Sequence, residues 1–234
     1  MKFSIHPEIF EKFPHLRIGV VVGKGLKNGK RGSEMDNLIN ENISRLVDRV
    51  GEKNLSDFPN IAAWRETYRQ FGTNPNKFKP TAESFLKRVL KSPVFPSISK
   101  AVEAYLAVEL ITMLPIGGYD LTKINGDIVL RISKGNESFL PLGGGAPELT
   151  NPGEIIYSDN RIVLTRNWNY RDSDETKIVE ESEEIFLASE AALPEISSED
   201  LKLTIEKIAE YETIYCGGTY QTYFLDRDTP EVHI

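Results

Sequence analysis

The spacing of apolar residues changes character halfway along the chain. Met35, Leu38, Ile39, Ile43, Leu46, Val47 and Val50 recur at i, i+3 and i+4 offsets, so the stretch from about Gly32 to Val50 predicts an amphipathic helix. A second helix is expected from Ser56 to Phe71, with Ser56 or Asp57 as its cap and Gly72 closing it. A third runs from Thr81, which caps it, to Leu90, and a fourth starts at Ser97 or Ser99 and carries Val102, Tyr105, Leu106, Val108, Leu110 and Met113. Beyond Met113 the period shortens to that of strands. Asp127–Ile132, Ser138–Leu142, Glu154–Tyr157, Arg161–Thr165 and Glu184–Ser189 read as short strands, separated by Gly-Asn, Gly-Gly-Gly, Asn-Pro-Gly and Asp-Asn turn signals.

The two ends extend this scheme. Phe10 to Phe13 close a short helix stopped by Pro14, and Leu16–Leu26 is apolar enough for a strand buried on both faces. A last helix is expected from Ser198 to about Tyr215, followed by a loosely packed tail from Gly217. There is no internal repeat and no low-complexity linker. The expected fold is therefore α+β: one domain over residues 1–234, with helices from the first half packed on a mixed or antiparallel sheet from the second. Between the two regimes lies Leu114–Arg131, which holds the adjacent glycines Gly117 and Gly118, then Tyr119 and Asp120. Adjacent glycines permit unusual backbone angles and close approach of another molecule, so the stretch reads as a turn with room for a ligand.

Composition narrows the function. Charged residues make up 27% and hydrophobic residues 40%, as in a soluble globular protein. No run is long enough to span a membrane, and the N-terminus lacks the apolar core of a secretory signal. One cysteine, Cys216, excludes an internal disulfide and fits a reducing cytoplasm. With three histidines confined to the chain ends, no zinc site and no cofactor is expected. The net charge of -7 excludes a uniformly basic nucleic-acid binder. The distribution is uneven, however: Asn60–Lys100 holds eight Lys/Arg against two acids, and Arg171–Ile234 five against seventeen. A basic face is possible on an acidic chain. The glycines Gly23, Gly25 and Gly29 lack the spacing of a phosphate loop.

Three separated motifs resemble a known family. Leu114-Pro115-Ile116-Gly117-Gly118-Tyr119-Asp120-Leu121-Thr122-Lys123-Ile124-Asn125-Gly126 is similar to a run in the tRNA-editing module, the B3/B4 domain, of the phenylalanyl-tRNA synthetase β subunit. Trp64–Gly72 and Lys79–Arg88 resemble freestanding members of that family, and the likeness covers about residues 61–192. Residues 1–60 then form an N-terminal strand and helices, and 193–234 a C-terminal helix and tail.

The resemblance implies hydrolysis of an amino acid wrongly esterified to tRNA, or tRNA binding alone if only the fold is kept. It makes the mischarged acceptor end of tRNA the expected partner. An aminoacyl ester is already activated, so a positioned water and a backbone oxyanion cradle could suffice. Gly117-Gly118 or Gly143-Gly144-Gly145 could supply that cradle, with Asp120 as a candidate base that also reads as a turn cap. Tyr119, Trp168 and Tyr170 could wall a pocket, Asn167, Asn169 and Arg171 could read polar groups, and Thr176 falls where the module usually has a threonine. Arg65, Arg69, Lys77, Lys79 and Arg88 are the expected phosphate contacts. Gly117 and Leu106 stand where the synthetase module has His and Asn, which implies a different amino acid or loss of hydrolysis. Glu103 and Glu109 lie six positions apart on different helix faces, so at least one is expected in solvent.

Overall fold

A computed structural model describes residues 1–234. The chain runs β1 (Lys2–Ile5), α1 (Pro7–Lys12), β2 (Arg17–Lys24), α2 (Ser33–Val50), α3 (Pro59–Gln70), α4 (Thr81–Lys91), α5 (Lys100–Thr112), β3 (Ile116–Asp120) and β4 (Ile128–Ile132). It continues through β5 (Ser138–Phe139), β6 (Glu148–Leu149), β7 (Ile155–Ser158), β8 (Val163–Arg166), β9 (Arg171–Asp172), β10 (Glu184–Ala191), α6 (Ser198–Cys216), β11 (Thr219–Leu225) and β12 (Glu231–His233). The α+β class holds, with helices gathered early and strands late.

Two large sheets, a small two-stranded sheet of β5 and β6, and a helical layer make up the fold. One sheet has the order β12-β1-β4-β7-β8-β9, and the other β11-β2-β10-β3. The first is mixed, because β1 runs parallel to β4 while its other pairings are antiparallel. Strands β2 and β10 are apolar on both sides, and alternation sends their side chains into two different cores. Ile18, Val20, Val22, Phe186 and Ala188 meet Phe3, Leu130, Tyr157, Leu164 and Trp168 of the larger sheet and its loops. Val21, Ile185 and Leu187 meet Leu46, Leu86, Val108 and Ile208 of the helices. The smaller sheet is thus the middle layer, as a continuous apolar run requires.

Several local expectations give way to packing. Helix α3 is preceded by Phe58 with no side-chain cap; Pro59 begins it, a position where the missing N–H costs nothing. Thr81 lies inside α4, and Pro80 sets the entry. Ser99 does cap α5, accepting from the Val102 N–H. Gly117 and Gly118 are not a turn: they lie within β3, paired with β10, and neither has a positive φ. The tail from Gly217 is not loose, since β11 pairs with β2 from Thr219↔Lys24 to Leu225↔Ile18 and β12 pairs with β1. Strand β1 gave no signal beforehand, being four residues long. Glu103 and Glu109 are both buried, Glu103 on Arg31 and the Ile98 N–H, Glu109 with neither oxygen partnered. No helix is long and apolar enough to cross a membrane.

Candidate active site

The two sheets diverge around a cavity of about 170 Å³. Its exposed lining residues are Leu142 and Arg171, so it opens to solvent on that side. Its walls are Gly117 and Tyr119 from β3, Phe186, Ala188 and Glu190 from β10, Tyr157 from β7, Thr165 from β8 and Asp172 from β9. The loop Trp168–Tyr170, Arg171 at the start of β9, Thr81 at the start of α4 and Leu142 complete it. Alternation along β10 explains the floor, because Phe186, Ala188 and Glu190 share one face.

The loop residues hold unusual backbone conformations. Asn167 and Trp168 have φ of 46° and 65°, consecutive left-handed residues without glycine. Such conformations cost on the order of 1–3 kcal/mol each and persist only where surroundings enforce them. Here the Trp168 ring is fully buried, edge-on to Phe13 at 5.0 Å and Trp64 at 5.3 Å. The Trp168 N–H donates to Ile155 O at 2.6 Å, and the Asn167 side chain accepts from Thr73 Oγ1 at 3.0 Å. The result aims Asn169 and Tyr170 at the cavity.

Two carboxyls dominate the electrostatics, the buried Glu190 and the half-buried Asp172. Burial pushes Glu190 up to about 7, with Tyr157 Oη donating at 2.6 Å and Asn169 Nδ2 at 3.4 Å in opposition, and Asp172 adding to the rise. Burial pushes Asp172 up to about 6, opposed by the Thr165 hydroxyl donating to its Oδ1 at 2.6 Å. With its proton committed there, Thr165 accepts from the Tyr119 hydroxyl at 2.6 Å. A chain Tyr119–Thr165–Asp172 therefore ends on a carboxyl, and no cation offsets either acid. A Cβ on Gly117 would meet nothing within 4 Å except the Asp172 carboxyl, at 3.6 Å from Oδ2, so glycine leaves the approach to Asp172 clear.

The cavity gathers Gly117, Tyr119, Trp168, Asn169, Tyr170 and Arg171 from the residues expected of a site. Others lie elsewhere. Gly118 faces away: a Cβ there would sit 2.3 Å from Phe186 O and 2.4 Å from Leu187 Cδ2, so its lack of a side chain serves the sheet. Asp120 is outside the cavity, where burial is outweighed by hydrogen bonds from Ser182, Thr122 and the Thr122 N–H, with Lys123 nearby, and its carboxyl is held below the ordinary range. It caps the short turn Leu121–Lys123 and has no base to offer. Asn167 acts through loop geometry, Thr176 is buried in the turn Asp174–Thr176, and Leu106 is not in the lining. Gly143, Gly144 and Gly145 flank the mouth next to Leu142, whose carbonyl accepts from Arg171 Nη2 at 2.9 Å.

The basic residues divide in the same way. Arg65 is a structural ion pair, with Nη1 2.9 Å from both oxygens of the fully buried Glu83 and Nη2 2.5 Å from Asn76 Oδ1, so it is spent before any phosphate arrives. Arg69 pairs with Glu66 on the surface of α3, and Arg88 lies over the Phe85 ring on α4. Lys77 and Lys79 flank Phe78, which packs edge-on against Tyr170 at 5.1 Å; Lys77 Nζ lies over the Phe78 ring at 5.1 Å and Lys79 Nζ donates to Asn76 O at 3.2 Å. Sequence reasoning missed Glu190, Asp172, Tyr157 and Thr165 as site residues. The one available signal was an acid ending an otherwise apolar strand.

Residues 63–213 match the B3/4 domain family. The chain belongs to that family. A solved N-terminal fragment of the phenylalanyl-tRNA synthetase β-subunit from Pyrococcus horikoshii is similar at 12% identity and a TM-score of 0.47, over 93% of this chain and 49% of the fragment. The chain thus spans about half the length of that fragment. No curated protein matches it. The cavity of this B3/4 domain lies within the matched residues, and its three sequence motifs converge there: α3 through Tyr68 Oη on Asn169 Oδ1, α4 through Thr81, and β3 through Gly117 and Tyr119.

Proposed function

We propose that this B3/4 domain is an aminoacyl-tRNA deacylase that clears mischarged tRNA in trans in the cytoplasm. The observation that carries the reading is the small cavity with Asp172 turned into it and kept clear by Gly117. The amino acid enters the cavity, the ester lies at the mouth, and the tRNA end runs past Arg171 toward Lys77 and Lys79. A water held on Asp172 Oδ2 attacks the ester carbonyl and gives its proton to that carboxylate. The ester C–O bond then breaks, the terminal ribose leaves as its hydroxyl with the proton returned, and free amino acid departs. A carboxyl raised to about 6 is ionised at neutral pH yet basic enough to accept that proton. The hydroxyl chain from Tyr119 orients it, and Arg171 is the exposed cation in the cavity lining.

Membership of the B3/4 family and the likeness of the sequence motifs to the synthetase editing module support the choice of ester, and the nearness of the Lys77–Lys79 segment to Tyr170 supports the choice of carrier. Incubation with a panel of mischarged tRNAs tests the reading. At least one ester should be lost well above its spontaneous rate, and D172N should slow that loss about 10²–10⁴-fold. No loss on any of them, with saturable and salt-sensitive tRNA binding, would leave a binding module instead.

A further inference from the structure

Strand β11 is a sheet edge without the usual protection. It reads Thr219-Tyr220-Gln221-Thr222-Tyr223-Phe224-Leu225, with no charge, no proline and no glycine. Natural edge strands are shielded by charges, prolines or bulges, because their free N–H and C=O groups pair readily with another strand. β11 pairs with β2 from Thr219↔Lys24 to Leu225↔Ile18 with no register shift, so no bulge twists it away. Its other side ends the sheet β11-β2-β10-β3, and the main-chain groups that alternate outward there bond to no other segment. The strand is held rigid from within. Tyr220 and Phe224 stand opposite Gly23 and Gly19, where a Cβ would lie 2.5 Å from the Tyr220 ring and 3.4 Å from the Phe224 ring, so both rings lie across β2. Tyr220 Oη donates to Glu212 O at 3.3 Å, yet Phe224 stays 46% exposed.

The two ends of this edge differ in charge. At its start are the exposed Lys24, opposite Thr219, and the exposed Lys27, whose N–H donates to Cys216 O at 2.7 Å. Past its end come Asp226, Arg227 and Asp228, two acids against one base, all exposed. Antiparallel pairing lays the start of one strand against the end of the other. We propose that β11 is a homodimer interface, in which two copies of this chain pair antiparallel about a two-fold axis at Thr222. Tyr220 of one copy then faces Phe224 of the other, on the side where both rings already lie, and Lys24 and Lys27 are brought toward Asp226 and Asp228 of the second copy. Aromatic and opposite-charge cross-strand pairs are the stabilising kinds. A two-fold contact also closes after two copies, so the edge is consumed and does not propagate into fibres. The product is one continuous sheet, β3-β10-β2-β11-β11-β2-β10-β3. Its two β3 strands are seven strand spacings apart, about 34 Å at ~4.8 Å each, so both cavities stay open at the outer ends. The contact is independent of the chemistry at the cavity.

Sedimentation velocity on the full chain, from micromolar to tenth-millimolar concentration, tests the proposal. The upper concentrations should give twice the 26.4 kDa chain mass. T222K and T222E change an exposed position and place like charges opposite each other at the axis, so each should sediment as a folded monomer with its melt kept. An equimolar mixture of the two should restore the dimer, which no folding defect would do. Hydrogen exchange of the unaltered chain needs no variant: outward amides of residues 219–225 should exchange at least tenfold more slowly when concentrated than when diluted. A chain that stays monomeric throughout, a T222K dimer as tight as the original, a mixture of folded variants that stays monomeric, or exchange indifferent to concentration overturns the proposal.

Discussion

Glu190 shows how much a single residue's role depends on its surroundings. In the sequence it follows Ser189 as one more acid in an acidic half. In the fold it is buried, and burial raises it from an ordinary 4.5 to about 7. A raised carboxyl binds a proton more tightly in the native state than in the unfolded chain. Its contribution to stability is therefore complete below about pH 4.5 and is lost as pH rises through about 7. At 1.36 kcal/mol per pKa unit the loss is about 3 kcal/mol. Asp172, raised from 3.8 to about 6, acts in the same direction. Denaturant unfolding measured from pH 4.5 to 8 should show stability falling with pH, and E190Q, neutral throughout, should flatten that fall. An unchanged slope in E190Q would mean that Glu190 is not buried as described. The pocket is thus held at a stability cost, as is common where chemistry needs perturbed acids.

At the scale of the element, β3 separates two glycines that look equivalent in sequence. Both sit in a strand at the edge of the smaller sheet, one facing the cavity and one facing Phe186 O and Leu187. Gly118→Ala should cost at least about 2 kcal/mol, since overpacking against backbone cannot relax cheaply. Gly117→Ala should leave stability unchanged or raise it by up to ~1 kcal/mol, because alanine suits a strand better than glycine. Its methyl group would stand in front of Asp172, and clearance of any susceptible ester should fall at least tenfold. Thermal melts and single-turnover assays on the two variants separate packing from function. Equal melting temperatures would show that Gly118 is not constrained as its surroundings imply. Element existence was legible here through periodicity: α2, α5, β2 and β10 follow directly from it. Caps were less legible. Phe58 before α3 and Pro80 before α4 succeed where Ser56, Asp57 and Thr81 were the better local candidates, because tertiary packing decides the helix start.

At the scale of the molecule, the C-terminal segment completes both sheets. β11 covers the edge of β2, and β12 that of β1. Without residues 217–234 the apolar strand β2, with Val20, Val21 and Val22, becomes an open edge, which is a template for intermolecular pairing. A chain truncated at Cys216 should melt several degrees lower and elute as oligomers larger than a dimer in gel filtration, while the full chain does not. An unchanged melt and elution would show the tail to be dispensable. The basic segment also changes meaning at this scale. Its charge excess is real, but Arg65 belongs to buried Glu83, and only the part of the segment carried by Phe78 against Tyr170 reaches the cavity mouth.

By itself the sequence determined the class of the fold, most of its helices and strands, the family, and the segments that meet at the cavity. Those properties depend on local periodicity, turn chemistry and motif order, which are written along the chain. Only the tertiary structure decided which side chains share the cavity. Glu190, Tyr157, Thr165 and Asp172 come from four different strands, and their proximity follows from sheet register. It also decided that Asp120 and Arg65 were already spoken for, since a polar group's partners are a property of the packed molecule and not of its neighbours in sequence.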